Sequence, residues 1–219
     1  MPTKKLWSLG LHTTTDTLAL GVFQAEHLRT ASWVEGRELA RVLQSRLQNF
    51  TNGLAWADLG WVAVCVGPGS FTGMRLGVMA ARTLGQGLEV PVLGVSALAA
   101  HAEAQVSTGP VAVWLEARRG ERYGAVFNHQ PQELTVVRPD SLVMPSDWER
   151  WISELPEGCQ LLDGNLNEPP IEAMMRLADR RYRQGVRTHW SEVQPFYGQA
   201  PPIHAGALQS SPDTTHLTR

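Results

Sequence analysis

The stretch "VGPGSFTGMRLG", residues 66–77, holds four of the chain's 20 glycines and determines how the rest of the sequence is interpreted. It follows "WVAVCV" (61–66), which is apolar at every position, as in a strand that is covered on both faces. After the loop, the spacing of apolar residues predicts a helix over 73–85. A buried strand, a glycine turn and a helix in this order indicate an α/β protein.

The loop does not satisfy the phosphate-binding motifs that its glycines suggest. A Walker A loop has Lys and then Ser or Thr after its last glycine, whereas Gly73 is followed by Met74 and Arg75. A dinucleotide loop reads G-x-G-x-x-G, with an acidic residue after the next strand. Here the last spacing is one residue too long, and Glu89 precedes the next apolar run. The G-x-S-x-G spacing of a serine hydrolase is not met either.

Two interpretations of the loop remain open. Gly67 and Gly69 allow a sharp turn out of the buried strand, and a hydroxyl group of the loop can cap the helix that follows. Free N–H groups at the start of that helix would also accept an anion. The residues predicted for such an anion or nucleotide site are Gly69, Ser70 and Thr72.

The helix after the loop carries a small residue at every fourth position: Gly73, Gly77, Ala81 and Gly85. Residues four apart lie on one face of a helix, so these four form a small-residue stripe. An interior glycine costs a helix roughly 1 kcal/mol relative to alanine, which close packing would offset. The stripe either packs against the chain's own sheet or lets a helix of another chain approach closely.

A second amphipathic helix is predicted over 37–50, where apolar residues recur at helical spacing and charged residues fill the other side. Its apolar side is available for the same contact as the small-residue stripe. We therefore predict that the two helices form a partner-binding face, which consists of Leu39, Val42, Leu43, Leu47, Gly73, Met74, Gly77, Val78, Ala81 and Gly85.

The composition excludes several classes of protein. The net charge is −2 and no basic block occurs, so we expect no strong direct binding to nucleic acid. Cys65 and Cys159 lie far apart without accompanying His, which makes neither a disulfide framework nor a zinc site. No apolar stretch is long enough for a signal peptide or for the roughly 18 residues of a membrane span. We expect a soluble cytoplasmic protein without membrane contact.

The two halves of the chain show the same order of predicted elements. Hairpin-like pairs of apolar runs open each half, at 6–23 and at 111–128, and alternating helices and strands follow. "STGP" (107–110) is a break between the halves. We predict an N-terminal lobe over 1–106 that carries the partner-binding helices, a C-terminal lobe over 107–205 and a flexible tail over 206–219.

Four stretches resemble the TsaB (YeaZ) family in content and order: "LGLHTTTDTLALGVF", "GPGSFTGMRLGVMAARTLG", "EARRGERYGAVF" and "VQPFYGQAP". The second is nearly verbatim, and together they span residues 9 to about 201. The resemblance implies a two-lobed RNase H-like fold of the actin, sugar-kinase and heat-shock ATPase type. Each lobe would then be a mixed sheet flanked by helices.

The resemblance also implies a supporting role, since TsaB pairs with TsaD, which carries the metal and the transferase chemistry that makes threonylcarbamoyladenosine on tRNA. It implies no catalytic residue, metal or cofactor for this chain alone, and leaves ATP or ADP open at a subunit interface. The expected partners are a TsaD-type protein, a second copy of the chain in its absence, and tRNA through the complex. The rival functions are a free-standing ATP-binding enzyme and a homodimeric scaffold.

The chain departs from the family pattern at three positions. His12 stands where the family has Asp, and a neutral imidazole is a poor ligand for magnesium. Glu116 replaces an Asp, and Gln199 replaces an Arg. No two of the seven histidines are spaced i, i+4, and His101 is expected to be a core-edge residue. Nucleotide hydrolysis by this chain is therefore disfavoured.

Overall fold

The computed structural model describes residues 7–24, 27–105, 107–165 and 168–198; the predicted tail and Gln199 lie outside the described residues. Two sheets are formed, with the strand orders β3-β2-β1-β4-β5 and β8-β7-β6-β9. The first consists of β1 (Trp7–His12), β2 (Thr17–Gln24), β3 (His27–Val34), β4 (Leu59–Gly67) and β5 (Val92–Ser96). The second consists of β6 (Gly109–Glu116), β7 (Arg122–Gln130), β8 (Glu133–Val143) and β9 (Gln160–Asp163).

Both sheets are built in the same way. Each begins with three antiparallel strands, β1-β2-β3 and β6-β7-β8, and then adds a parallel strand beside the first of them. That parallel strand is β4 in the first sheet and β9 in the second. The first sheet is extended by β5, parallel to β4. The prediction of two mixed sheets flanked by helices is confirmed.

Two helices cover one face of the first sheet: α1 (Leu39–Phe50) and α2 (Phe71–Leu88). Their buried side chains share one core with leucines and valines of β1, β2 and β4. The α2 helix is longer than the predicted range of 73–85, because the hydroxyl of Ser70 accepts a hydrogen bond from the N–H of Gly73 and caps the helix two residues earlier.

The last helix of each half packs against the sheet of the other half. The α3 helix (Ala97–Glu103) follows the first sheet, yet Leu98 and Ala102 lie in the core of the second sheet. The α5 helix (Ile171–Arg183) follows the second sheet but covers the other face of the first. Met175 of α5 fits there because Gly10 and Gly21, which pair across β1 and β2, have no side chains in its way.

A buried ion pair joins these two exchanged helices. Glu103 of α3 is 6% exposed, and both of its carboxylate oxygens accept hydrogen bonds from the Arg180 guanidinium, at 2.8 and 2.6 Å. A second link runs from the Ser96 hydroxyl, at the start of α3, to the Asp140 carboxylate on β8, at 2.5 Å. Burial raises the pKa of Asp140. The two lobes are therefore joined by polar contacts as well as by apolar packing.

The short helix α4 (Trp148–Ser153) follows a 3-10 turn over Pro145–Asp147, and Asp147 occupies its N-cap position.

Candidate functional site

The glycine loop is a tight turn between β4 and α2. Gly67 and Gly69 have positive φ angles of 106° and 154°, and a cis peptide bond joins Gly67 to Pro68. Other residues rarely adopt such φ angles, so these two positions require glycine. Ser70 then caps α2, which confirms the tight-turn interpretation of the loop.

The turn between β1 and β2 lies directly against this loop and the start of α2. The Thr13 hydroxyl donates a hydrogen bond of 2.7 Å to the carbonyl oxygen of Gly73, and the Ser70 N–H donates one of 2.7 Å to the Thr14 carbonyl oxygen. A Cβ atom at Gly73 or at Gly77 would collide with Thr13. The first two members of the small-residue stripe thus make room for the chain's own β1–β2 turn.

The rest of the stripe also faces the chain's own sheet. A Cβ at Gly85 would meet Val92 and Trp190, and Ala81 is fully buried. Of the two alternatives for the stripe, the structure shows packing within the chain. The glycines of this face are covered by Thr13 of the β1–β2 turn and by Val92 and Trp190, and the predicted helix–helix contact with another chain stays a prediction.

The other predicted partner-binding residues are mostly covered as well. Met74, Val78, Leu39 and Leu43 are buried, while Val42 and Leu47 are partly exposed. The apolar sides of α1 and α2 form the core of the lobe. The exposed residues of the two helices lie mainly on their opposite sides.

The opposite side of α2 carries an exposed cluster, which we call the α2 patch and define as Phe71, Arg75, Met79 and Tyr197. The first three lie four residues apart, on one face of the helix. The Arg75 guanidinium lies over the Phe71 ring at 3.9 Å, and its Nε donates a hydrogen bond of 3.1 Å to the Tyr197 hydroxyl. Met79 is 60% exposed. Contiguous exposed apolar side chains of this kind mark binding surfaces.

The sequence reasoning missed the α2 patch because it followed the apolar and small positions of the helix, which face inward. A signal was present in the stretches "GSFTGMR" and "QPFYG", which place Phe71, Arg75 and Tyr197 in the two motifs quoted above. Their proximity depends on the chain path after α5. There the Phe196 N–H donates a hydrogen bond of 2.7 Å to the carbonyl oxygen of Val66, which brings Tyr197 to the start of α2.

A cavity of about 580 Å³ lies between the two lobes, next to the glycine loop. Its walls come from the β1–β2 turn, the loop, α3, β6 and the segment after β9. The residues that line it include His12, Thr14, Thr15, Asp16, Pro68, Gly69, Ser70, Ala97, His101, Leu115, Glu116, Gly164 and Asn165. Of the predicted anion-binding residues, Gly69 and Ser70 line this cavity, while Thr72 lies exposed on the first turn of α2.

Two buried imidazoles contribute to this cavity. Burial, together with a smaller effect of the nearby His101, lowers the pKa of His12 to about 3; burial also lowers the pKa of His101, to about 4. Both rings are therefore neutral at neutral pH. Neither ring nitrogen of His12 has a hydrogen-bond partner in the part of the chain that the structure describes. His101 was expected at the edge of the core. Its side chain is instead buried, with 5% of its surface exposed.

The charges around the cavity are acidic. Asp16 and Glu116 line it, and within the described ranges no Lys or Arg does. Anion sites in proteins use cationic groups or free N–H groups, and a carboxylate close by opposes them. An anion held by Gly69, Ser70 and Thr72 therefore stays a prediction that the surrounding charges do not favour.

Among the described residues, no group of three or more His, Cys, Asp or Glu side chains is placed to hold a metal ion. None of the described helices has the length and apolar character that a membrane span requires.

The strand orders, the exchanged helices and the cavity between the lobes define a two-lobed protein of the RNase H-like class. The family model described as TsaD, tRNA N6-adenosine threonylcarbamoyltransferase, matches residues 36–175 of the chain. The chain belongs to this family, and within it to the TsaB (YeaZ) proteins.

Individual relatives carry the TsaB and YeaZ names. The Bacillus subtilis tRNA threonylcarbamoyladenosine biosynthesis protein TsaB is 34% identical over 125 residues, which cover 56% of this chain and 55% of that protein. The matched stretch thus spans about half the length of that relative. The Escherichia coli protein of the same name is 29% identical over 170 residues, covering 67% of this chain and 74% of that protein.

The solved structure of YeaZ from Pseudomonas aeruginosa matches in fold, with a TM-score of 0.72 and 22% identity. The match covers 87% of this chain and 100% of that one.

Proposed function

We propose that this chain takes part in the biosynthesis of threonylcarbamoyladenosine on tRNA, as a non-catalytic partner subunit of a TsaD-type threonylcarbamoyltransferase. The single observation that carries the proposal is the family match over residues 36–175, with relatives that are named for this biosynthesis. The whole-protein activity and the partner are inferences from that match.

The chemistry around the cavity supports a non-catalytic role. In this chain His12 occupies the end of β1, where an ATP-using relative would need an oxygen ligand for magnesium. Its imidazole is neutral and buried, and two carboxylates, Asp16 and Glu116, lie at the same cavity. Among the described residues that line the cavity there is no Lys or Arg to bind the phosphates of a nucleotide, and the two carboxylates would repel them. The charges of the cavity therefore weigh against a free-standing ATP-binding enzyme.

The surface chemistry supports partner binding through the outer side of α2. Met79 offers an exposed, flexible apolar side chain, and Phe71 and Tyr197 hold Arg75 in a fixed position between them. Aromatic residues, Met and Arg are enriched at protein–protein interfaces, and a rigid Arg loses less entropy on binding. We therefore propose that the interface is formed by the α2 patch rather than by the inward-facing residues of α1 and α2.

The same surface would pair two copies of the chain when no TsaD-type partner is present. An interface between two copies of one chain is self-complementary across a two-fold axis. The α2 patch combines apolar side chains with one cation, and two such patches can pack against each other. Homodimer and heterodimer would then compete for one surface, and tRNA would meet the chain only through the complex.

The test is co-purification of the full chain with the TsaD-type protein of the same organism. We expect a stable complex at micromolar concentration and no transferase activity from this chain by itself. The absence of any complex at that concentration would exclude the partner role.

A further inference from the structure

Three of the four outermost strands of the two sheets are protected from pairing with another chain. The β5 edge is covered, because the Val92 N–H donates a hydrogen bond of 3.1 Å to the Thr188 carbonyl oxygen and the Arg181 guanidinium donates one of 2.7 Å to that of Gly94. The β9 strand has only four residues. The β8 strand contains Pro139 and shifts its register twice against β7. Covering segments, short strands, proline and bulges all prevent an edge from pairing.

The fourth outermost strand, β3, lacks all of these features. Its eight residues, His27 to Val34, pair with β2 without a register shift. Within the ranges that the structure describes, its outer edge makes no backbone hydrogen bond to another segment. The charge of Arg29 does not extend across that edge, because its guanidinium donates a hydrogen bond of 2.7 Å to the Phe50 carbonyl oxygen and lies 4.6 Å from the Phe50 ring centre. The β3 strand can therefore accept one more strand.

The sequence of β3 is complementary to itself in one antiparallel register. A two-fold axis normal to the sheet keeps each face on its own side, so it pairs residues whose numbers have an even sum. With Ala31 on this axis, the pairs between the two copies are Leu28 with Val34, Arg29 with Trp33, and Thr30 with Ser32. These are an apolar, a cation–aromatic and a hydroxyl pair, and no like charges lie opposite each other. The chemistry of the strand thus fits a second copy of the same strand.

Val34 supports this register. Its side chain is 83% exposed, more than any other large apolar side chain in the described part of the chain. In the paired register it contacts Leu28 of the second copy, which removes apolar surface of both side chains from water. A register with Thr30 on the axis would leave Val34 without an opposite residue in the strand.

We propose that the β3 edges of two copies pair antiparallel about Ala31, so that the two first-lobe sheets become one continuous sheet. This contact does not rest on the proposed role in tRNA modification. It is also separate from the α2 patch, because α2 packs over β1, β4 and β5, whereas β2 lies between β1 and β3. Two chains joined through β3 can each hold a further protein at the α2 patch.

Disulfide trapping on the full chain tests the register. Residues on the axis have Cα atoms about 4.5–5.5 Å apart, within the range of about 4.4–6.8 Å that a disulfide spans. Ala31→Cys should therefore form a covalent dimer under mild oxidation, in a Cys159→Ser background that leaves only the buried Cys65. Thr30→Cys in the same background should stay monomeric, because its two copies lie two residues out of register. A covalent dimer of Thr30→Cys, or none of Ala31→Cys, would overturn the proposal.

Sedimentation of the full chain with Met79→Glu measures the β3 contact without self-association through the α2 patch. We expect a reversible dimer at about 100 μM. Adding Val34→Glu should raise its dissociation constant at least about tenfold, because it places a charge opposite Leu28. Adding Val136→Glu, at a valine of β8 that is 61% exposed, should change nothing. Met79→Glu protein that stays monomeric at this concentration, or equal effects of Val34→Glu and Val136→Glu, would overturn the proposal.

Discussion

The Thr13 hydroxyl donates a hydrogen bond of 2.7 Å to the carbonyl oxygen of Gly73, and this contact ties the β1–β2 turn to the first turn of α2. Thr13 also occupies the space that a Cβ atom at Gly73 or Gly77 would need. The glycines of "VGPGSFTGMRLG" are thus explained by two backbone segments that approach each other closely within one chain.

We predict that Gly77→Ala destabilises the fold, because its methyl group would overlap the Thr13 hydroxyl. Overpacking of a tight site costs about 1–3 kcal/mol of unfolding free energy. Gly87→Ala is the matched control in the same helix, since nothing lies within 4 Å of a Cβ there. It should raise the unfolding free energy by up to about 1 kcal/mol. Urea denaturation measures the unfolding free energy of both variants. Equal changes in the two variants would show that the stripe is not packed as described.

We predict that stability falls on acidification because of His12 and His101. Their ordinary pKa is 6.5, and burial lowers it to about 3 for His12 and about 4 for His101. Below pH 6.5 the unfolded chain binds a proton at each ring that the folded chain does not bind. Each histidine then lowers the unfolding free energy by about 1.4 kcal/mol per pH unit, down to its folded pKa.

Two variants measure how much His12 contributes to this pH dependence of stability. His12→Leu should reduce the slope of unfolding free energy against pH, between pH 6 and 4, by about 1.4 kcal/mol per unit relative to the wild type. His27→Leu, which removes an exposed imidazole, is the control in the same measurement. Urea titrations across this range give both slopes. A His12→Leu slope equal to that of the wild type would mean that His12 is protonated in the folded chain.

We predict that Arg180→Ala weakens the fold strongly, because it leaves the Glu103 carboxylate buried without its bidentate partner. Removing one member of a buried pair costs about 3–5 kcal/mol, and we expect about 2–3 here since Arg180 is 24% exposed and Arg176 lies 4.0 Å from Glu103. Arg183→Ala removes a surface pair with Asp179 and should cost at most about 0.5 kcal/mol. Thermal unfolding of both variants measures the two losses of stability. Similar losses for Arg180→Ala and Arg183→Ala would contradict the burial of Glu103.

Most of the architecture could be predicted from the sequence, because it follows from short-range patterns. The apolar runs at 6–23, 61–66 and 111–128 predict β1, β2, β4, β6 and β7 within a few residues, and the spacing of Leu39, Leu43 and Leu47 predicts α1. The turn at Gly67 and Gly69 was predicted because glycine is the residue that tolerates the positive φ angles found there. Such features depend on neighbours in the chain.

The parts that could not be predicted depend on contacts between distant segments. Residues four apart define a helix face, but spacing does not say which element covers it, so the spacing of Gly73 and Gly77 does not distinguish a partner helix from Thr13 of the same chain. The exchange of α3 and α5 between the lobes, and the approach of Tyr197 to Arg75, 122 residues apart in the chain, leave no periodic signal.

The central claim, that the α2 patch binds a TsaD-type protein, is tested most directly by sedimentation of mixtures of the two proteins. We expect the wild-type chain to form a complex and Met79→Glu to weaken it at least about tenfold, because it places a charge in an apolar contact. Met144→Glu, at a methionine that is 45% exposed on the second lobe, should bind as the wild type does. A complex that survives Met79→Glu unchanged, or is weakened equally by Met144→Glu, would contradict the assignment of the interface, and no complex at all would contradict the function.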